Sequence, residues 1–186
     1  MFESKVLYLV TSNEHKISEC QTLFGQYGYE IMGIDIKIKE LQTQDSAELV
    51  RDKALKAFQV LQVPLLVEHT GISLDAMGGF PSGLTQCMWD SMLADRFCEL
   101  FGGGKRGKVT ARTDLVAVDG RRLLESHGEV LGSVSDSPKG NRDFQWDCIF
   151  VPDGFDKTFA ELGEYKNKIS MRKIAVDNFA KRYLND

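Results

Sequence analysis

Residues 67–83, VEHTGISLDAMGGFPSG, decide the reading of this chain. The apolar run that leads into them, Pro64, Leu65, Leu66 and Val67, predicts a buried strand, and Glu68, His69 and Thr70 are expected where that strand emerges at the edge of its sheet. Open α/β sheets place their ligands at that position. Gly71, Gly78, Gly79 and Gly83, with Pro81, predict a loop that takes left-handed turns and lets a ligand approach the backbone. A strand followed by a polar turn is ordinary on its own, so the flanking sequence has to single this one out.

Upstream, Lys5 to Thr11 (KVLYLVT) predicts a first, central strand that runs through Ser12 and Asn13 into a helix from about Glu14 to Tyr27. The T-S-N-x-x-K pattern at this junction puts hydroxyl, amide and N–H groups beside Lys16, one turn into the helix. Two readings are open: a site for an anion at a helix N-terminus, or a plain N-cap at Ser12 or Asn13 with a solvated lysine. Tyr29 to Lys39 alternates through Ile31, Ile34, Ile36 and Ile38 and predicts a second strand, followed by the connection Glu40-Leu41-Gln42. From Ser46 the positions Ala47, Val50, Ala54, Ala57, Phe58 and Leu61 recur at helical spacing, leaving Lys53 with Arg51, Asp52 and Lys56 on the polar face.

Downstream, Trp89, Met92, Leu93, Phe97, Leu100 and Phe101 predict a helix whose aromatic and methionine stripe is core or a subunit contact, stopped by Gly102 to Gly104. Val109 to Val118 and Arg122 to Ser135 predict two strands joined through Asp119-Gly120, a hairpin signal, and expected in a second lobe. Cys148 to Val151 predicts a further strand before the turn Pro152-Asp153-Gly154. A final helix follows, capped by Ser170, with Ile174, Ala175, Phe179 and Tyr183 facing in.

The 186 residues suffice for one domain with a full core, and the 42% hydrophobic and 27% charged content places the chain among globular proteins. No run reaches bilayer-spanning length and the N-terminus lacks secretory features, so a cytoplasmic protein without a membrane partner is expected. Net charge of −4 argues against nucleic acid polymers as partners, while leaving room for a local pocket holding a small anion. Cys20, Cys87, Cys98 and Cys148 are scattered, which indicates reduced, packed thiols rather than a disulfide framework or zinc site.

Taken in order, these pieces resemble the inosine triphosphate pyrophosphatase family, the non-canonical purine nucleoside triphosphate pyrophosphatases, over nearly the whole chain. The likeness rests on T-S-N-x-x-K (Thr11 to Lys16), E-x-Q at Glu40, Lys53-Ala54, V-E-x-T-G (Val67 to Gly71) and A-x-G-G-x-P (Ala76 to Pro81). It continues in P-x-G at Pro138, F-x-W-D (Phe144 to Asp147), F-x-P-D-G (Phe150 to Gly154), T-F-A-E-L at Thr158 and K-N-x-I-S-x-R (Lys166 to Arg172). Each motif is weak singly; their joint order is specific.

The resemblance implies a two-lobed α/β protein with a mixed, twisted sheet flanked by helices, a single domain over residues 1–186 with a central cleft, and a homodimer. Its cleft would hold a nucleoside triphosphate with Mg²⁺, or Mn²⁺, and water would attack the α-phosphorus to give monophosphate and pyrophosphate. Lys16, Lys53, Lys166 and Arg172 would neutralise the phosphates. Thr11, Ser12, Asn13, Thr70 and Gly71 would line the substrate, and Phe144, Trp146 and Asp147, with Met171, would meet the base. Glu40, Glu68 and His69 are the expected metal ligands, with Asp75 as a possible further carboxylate, and His69 and Glu68 the expected catalytic pair.

The chain departs from the family pattern where chemistry is expected. His69 stands in place of an Asp that binds metal and serves as candidate base; imidazole accepts a proton but adds no negative charge and suits a hard ion less well. Gln86 lies near a frequent Lys, Gln145 replaces a Gly, Cys148 a Pro, and Met171 a His that would donate a hydrogen bond to the base. The sequence therefore predicts a pyrophosphatase for ITP, dITP or XTP with altered specificity or reduced rate. The alternative is a catalytically weakened or inactive nucleotide-binding homologue acting as a sensor or partner subunit.

Overall fold

In the computed structural model, which describes residues 5–184, six strands form one mixed sheet in the order β2-β1-β3-β4-β5-β6. They are β1 (Val6–Val10), β2 (Glu30–Ile34), β3 (Leu65–Leu74), β4 (Lys108–Val118), β5 (Leu123–Val134) and β6 (Phe150–Pro152). β1 runs parallel to both β2 and β3, and the later pairs are antiparallel. Parallel neighbours cannot be joined by a tight turn. The crossovers here are α1 (Glu14–Gly25) and α2 (Ser46–Leu61); α3 (Thr85–Phe101), the short α4 (Phe159–Leu162) and α5 (Lys166–Ile169), and α6 (Met171–Tyr183) complete the helices.

Alternation along the strands sorts the core onto two faces. Leu7, Leu9, Leu66, Leu115 and Ala117 pack against Leu23 and Phe24 of α1 and Val176 and Phe179 of α6. Val10, Leu65, Val67, Val116 and Val118 take the other face, against Leu49, Val50, Ala54 and Ala57 of α2. A third cluster gathers Ile72 and Leu74 with Trp89, Phe97, Trp146, Phe150, Phe159 and Met171.

The structure departs from the sequence reading in several places, among them the last strand, which is Phe150–Pro152 rather than Cys148 to Val151 because Cys148 closes a helical turn begun at Gln145. β3 does not emerge at Glu68; it continues to Leu74, paired with β4 from Leu65↔Val118 to Leu74↔Val109. Gly71 is therefore a strand residue rather than a loop residue. A Cβ there would lie 2.5 Å from the Ser82 carbonyl oxygen and 2.7 Å from Thr85 Oγ1, so close approach of the 82–85 turn, not a left-handed backbone, demands glycine. β2 ends at Ile34, because residues 35–39 find no strand to pair with, although Ile36 and Ile38 still pack on the α2 cluster. Within α3 the backbone at Leu93 is non-helical (φ 57°), which turns that side chain out to 60% exposure while Trp89 and Phe97 stay buried.

The hairpin joining β4 and β5 is as expected: Asp119 Oδ1 accepts the N–H groups of Arg121 and Arg122, and Gly120 takes φ 90°. These strands pair with β3 in the same sheet as β1. Among the described residues no helix is long and apolar enough to cross a membrane.

Candidate active site

At the carboxyl end of β1 the chain turns into α1 on one face of the sheet, while its neighbours lead to and from α2 on the other. A cleft of about 670 Å³ opens there, at the switch point where α/β sheets favour ligands. One wall is the β1–α1 junction, Thr11, Ser12, Asn13 and Lys16. Thr11 Oγ1 accepts the Asn13 N–H at 3.2 Å and Asn13 Oδ1 accepts the Lys16 N–H at 3.2 Å, so Asn13 caps α1 and the helix begins at the cleft. The cap and the anion site are compatible, since the dipole end and its first turn border open space.

Strand parity fixes the floor. Glu68 and Thr70 point toward α6, where Arg172 is fully buried. Arg172 donates to Glu68 Oε2 through Nη2 at 3.0 Å and Nε at 3.2 Å, Thr70 Oγ1 donates to the same oxygen at 2.9 Å, and Lys16 Nζ lies 2.6 Å from Glu68 Oε1. Burial pushes the Glu68 carboxyl up, but Arg172 and then Lys16 more than reverse this and hold it well below the carboxylate range. Glu68 is thus held ionised. Arg172 also pairs with Glu19 on α1, whose Oε1 takes Lys166 Nζ at 2.8 Å, and Lys166 reaches Asp147 Oδ2 at 2.6 Å. Burial raises Asp147 despite the pull of Lys166.

His69 has the opposite parity and lies across from Asp114 of β4. Asp114 is occupied by Ser46 Oγ at 2.6 Å and by Arg112. Among the described residues the buried His69 Nε2 atom has no hydrogen-bond partner. Burial, then Lys16, bring its pKa down to about 4, so the ring is neutral. Nearby, Lys53 Nζ pairs with Glu40 Oε1 at 2.6 Å; burial pushes the Glu40 carboxyl up, but the bond and charge of Lys53 with the neighbouring positive charge together lower it.

Thr11, Ser12, Asn13, Lys16, Glu40 and Lys53 thus line the cleft as expected, as do Glu68, His69 and Thr70. Phe144, Asp147, Lys166 and Arg172 converge on each other beneath it: Lys166 Nζ sits 4.2 Å from the Phe144 ring centroid and Arg172 5.9 Å. Trp146 and Met171 are core residues, 2% and 1% exposed, and do not border the cleft. Asp75 belongs to a separate shallow depression with Lys108 and Asp153. Sequence reasoning missed Glu19, although it recurs one turn after Lys16 on the same helix face. It also missed Lys37, hidden in an alternating apolar stretch, and the contact between Gln86 and Gln145 across the cleft.

Among the described residues no group of three or more His, Cys, Asp or Glu is close enough to cage a metal ion. Glu40 and Glu68, two of the three carboxylates bordering the cleft, nevertheless fit an ion that keeps its waters and binds mainly through substrate phosphates. The lining charges balance, Lys16, Lys37 and Lys53 against Asp35, Glu40 and Glu68. A polyphosphate entering such a neutral cleft needs an accompanying cation.

The Ham1 family profile matches residues 7–182, and the chain belongs to that family. It is 32% identical over 188 residues to the dITP/XTP pyrophosphatase of Methanopyrus kandleri, a match covering 98% of this chain and 97% of that protein. It is 33% identical over 174 residues to inosine triphosphate pyrophosphatase 1 of Trypanosoma cruzi, covering 90% and 87%. Its fold is similar to that of a Ham1 protein from Coxiella burnetii, with a TM-score of 0.78 at 21% identity over 96% of this chain and 98% of the other.

Proposed function

We propose that this chain is a nucleoside triphosphate pyrophosphatase acting on non-canonical purine nucleotides such as dITP, XTP or ITP. The observation that carries the reading is the meeting of Lys16 and Arg172, from opposite ends of the sequence, on Glu68 at the wall of a cleft where α1 begins. The names of the relatives support the substrate class.

The triphosphate lies against the N-terminal turn of α1, held by Ser12, Asn13 and the lysines. Lys16 stays fixed by Glu68, which is too strongly ionised to serve as a base. Lys53 would exchange the more exposed Glu40 for a phosphate. Glu40 and Glu68 are the carboxylates that would hold Mg²⁺ or Mn²⁺, which supplies charge neutralisation at the phosphate oxygens.

His69 Nε2 accepts a hydrogen bond from the attacking water. The water oxygen bonds to the α-phosphorus as the bond to the bridging oxygen breaks, giving monophosphate and pyrophosphate, and a proton is released. With its pKa near 4, His69 has about the proton affinity of an ordinary aspartate, near 3.9, without the charge. The expected rate is therefore reduced rather than lost.

Pyrophosphate release from ITP, XTP, dITP and the ordinary triphosphates, with Mg²⁺ and with Mn²⁺, tests the reading. Turnover selective for the non-canonical set is expected. Stabilisation by nucleotide in a thermal-shift assay with no turnover would instead favour an inactive sensor or partner subunit. A homodimer accompanies this proposal and is read by sedimentation.

A further inference from the structure

The cleft ends in two neutral side chains that hold each other. Gln145 Nε2 donates to Gln86 Oε1, linking residues 59 apart in sequence across the cleft. Both ends are preset. Gln86 Nε2 donates to Asp90 Oδ1 at 2.6 Å, one helical turn on, which leaves its carbonyl oxygen to face Gln145. The Gln145 carbonyl accepts from Cys148 Sγ at 3.6 Å, and its backbone is held at φ 45°, a left-handed conformation that favours glycine. Retaining a long amide side chain at such a position requires a reason, and its contact with Gln86 is the one the structure displays.

Apart from the His69 imidazole, the cleft lining contains polar, charged and aliphatic side chains and, among the described residues, no Phe, Tyr or Trp. A purine needs a flat surface, and the half-buried Phe144 adjoins Gln145 in sequence, its ring 5.2 Å from that of His15 on α1. Resting on the nucleotide reading above, we propose that Gln86 and Gln145 form a clasp between the phosphate cleft and the Phe144 side of the molecule. A purine must part this clasp to stack, so the two amides determine which bases are admitted. Groups that replace the amide–amide bond with their own donor and acceptor pass at little cost; others lose it outright.

The test compares Gln145→Gly and Gln86→Ala with the parent protein, using ITP, XTP, ATP and inorganic tripolyphosphate, a ligand with the phosphates and no base. Opening the clasp removes one neutral hydrogen bond, so KM for base-bearing ligands should fall about two- to tenfold, with the differences among bases compressed and kcat little changed. Tripolyphosphate affinity, read by calorimetry, should stay the same. Equal changes for tripolyphosphate and nucleotides, or no change in either variant, would overturn the clasp. Absence of any nucleotide binding or turnover in the folded parent protein would instead remove the reading on which it rests.

Discussion

Replacing Glu68 by glutamine keeps the shape of a buried side chain and removes its charge. Arg172 then retains Glu19 alone, and Lys16 loses its carboxylate. Breaking a buried ion pair by removing one partner costs about 3–5 kcal/mol, and the amide still accepts one hydrogen bond from Arg172 or Thr70, which places Glu68→Gln near 3 kcal/mol. For a chain of this size each kcal/mol moves Tm by about 2–4 °C, so circular dichroism at pH 7 should show a fall of about 6–12 °C. The gap should depend on pH in one direction. The folded-state pKa of Glu68 is depressed, so its contribution is complete above the unfolded carboxylate value of about 4.3 and is lost as pH falls further. Below that value the gap between parent and variant should close by up to about 1.4 kcal/mol per pH unit. A double variant, Glu68→Leu with Arg172→Met, removes both charges and should be more stable than Glu68→Gln alone. A fall in Tm under about 2 °C, or a gap that widens on acidification, would refute the view of Glu68 as an ionised anchor.

His69→Asp restores a charge beside Glu40 and should raise kcat with Mg²⁺ more than with Mn²⁺; an unchanged or lower rate with both would mean the site is built around imidazole. Gly71→Ala drives a methyl group into the Ser82 carbonyl and should cost about 1–3 kcal/mol, seen as a lower urea midpoint. Lys37 borders the cleft and, among the described residues, has no carboxylate within ion-pair distance. Lys37→Gln should therefore raise KM for triphosphates about two- to fivefold at low salt and less at 0.5 M, while a salt-independent effect would rule out a charge contact.

Local pattern accounts for what could be read without coordinates. β1, α1, α2 and the β4–β5 hairpin follow from periodicity, caps and Asp119-Gly120, all of which act within a few residues. The course of β3 does not, because Glu68 and Thr70 look like solvent-facing residues until Arg172, 104 positions later, neutralises and covers them. Residues 35–39 alternate as a strand should, yet pairing depends on a neighbour that only the sheet can supply. In the site, charged residues within the quoted motifs were legible, whereas Trp146 and Met171 were not separable from core by sequence, and the Gln86–Gln145 contact required the start of α3 and a distant helical turn to be placed together.

The separation between Glu68 and Arg172 also bears on how the molecule is made. At about 5–20 residues per second, a growing chain carries Glu68 for roughly 5 to 20 s before its guanidinium partner is even polymerised. During that interval β3 holds a carboxylate offset only by Lys16 and Thr70, without the guanidinium that dominates its stabilisation, so the centre of the sheet closes incompletely. Synthesis arrested before residue 172 should leave a nascent product open to protease at β3, and completion of the last helix should seal it.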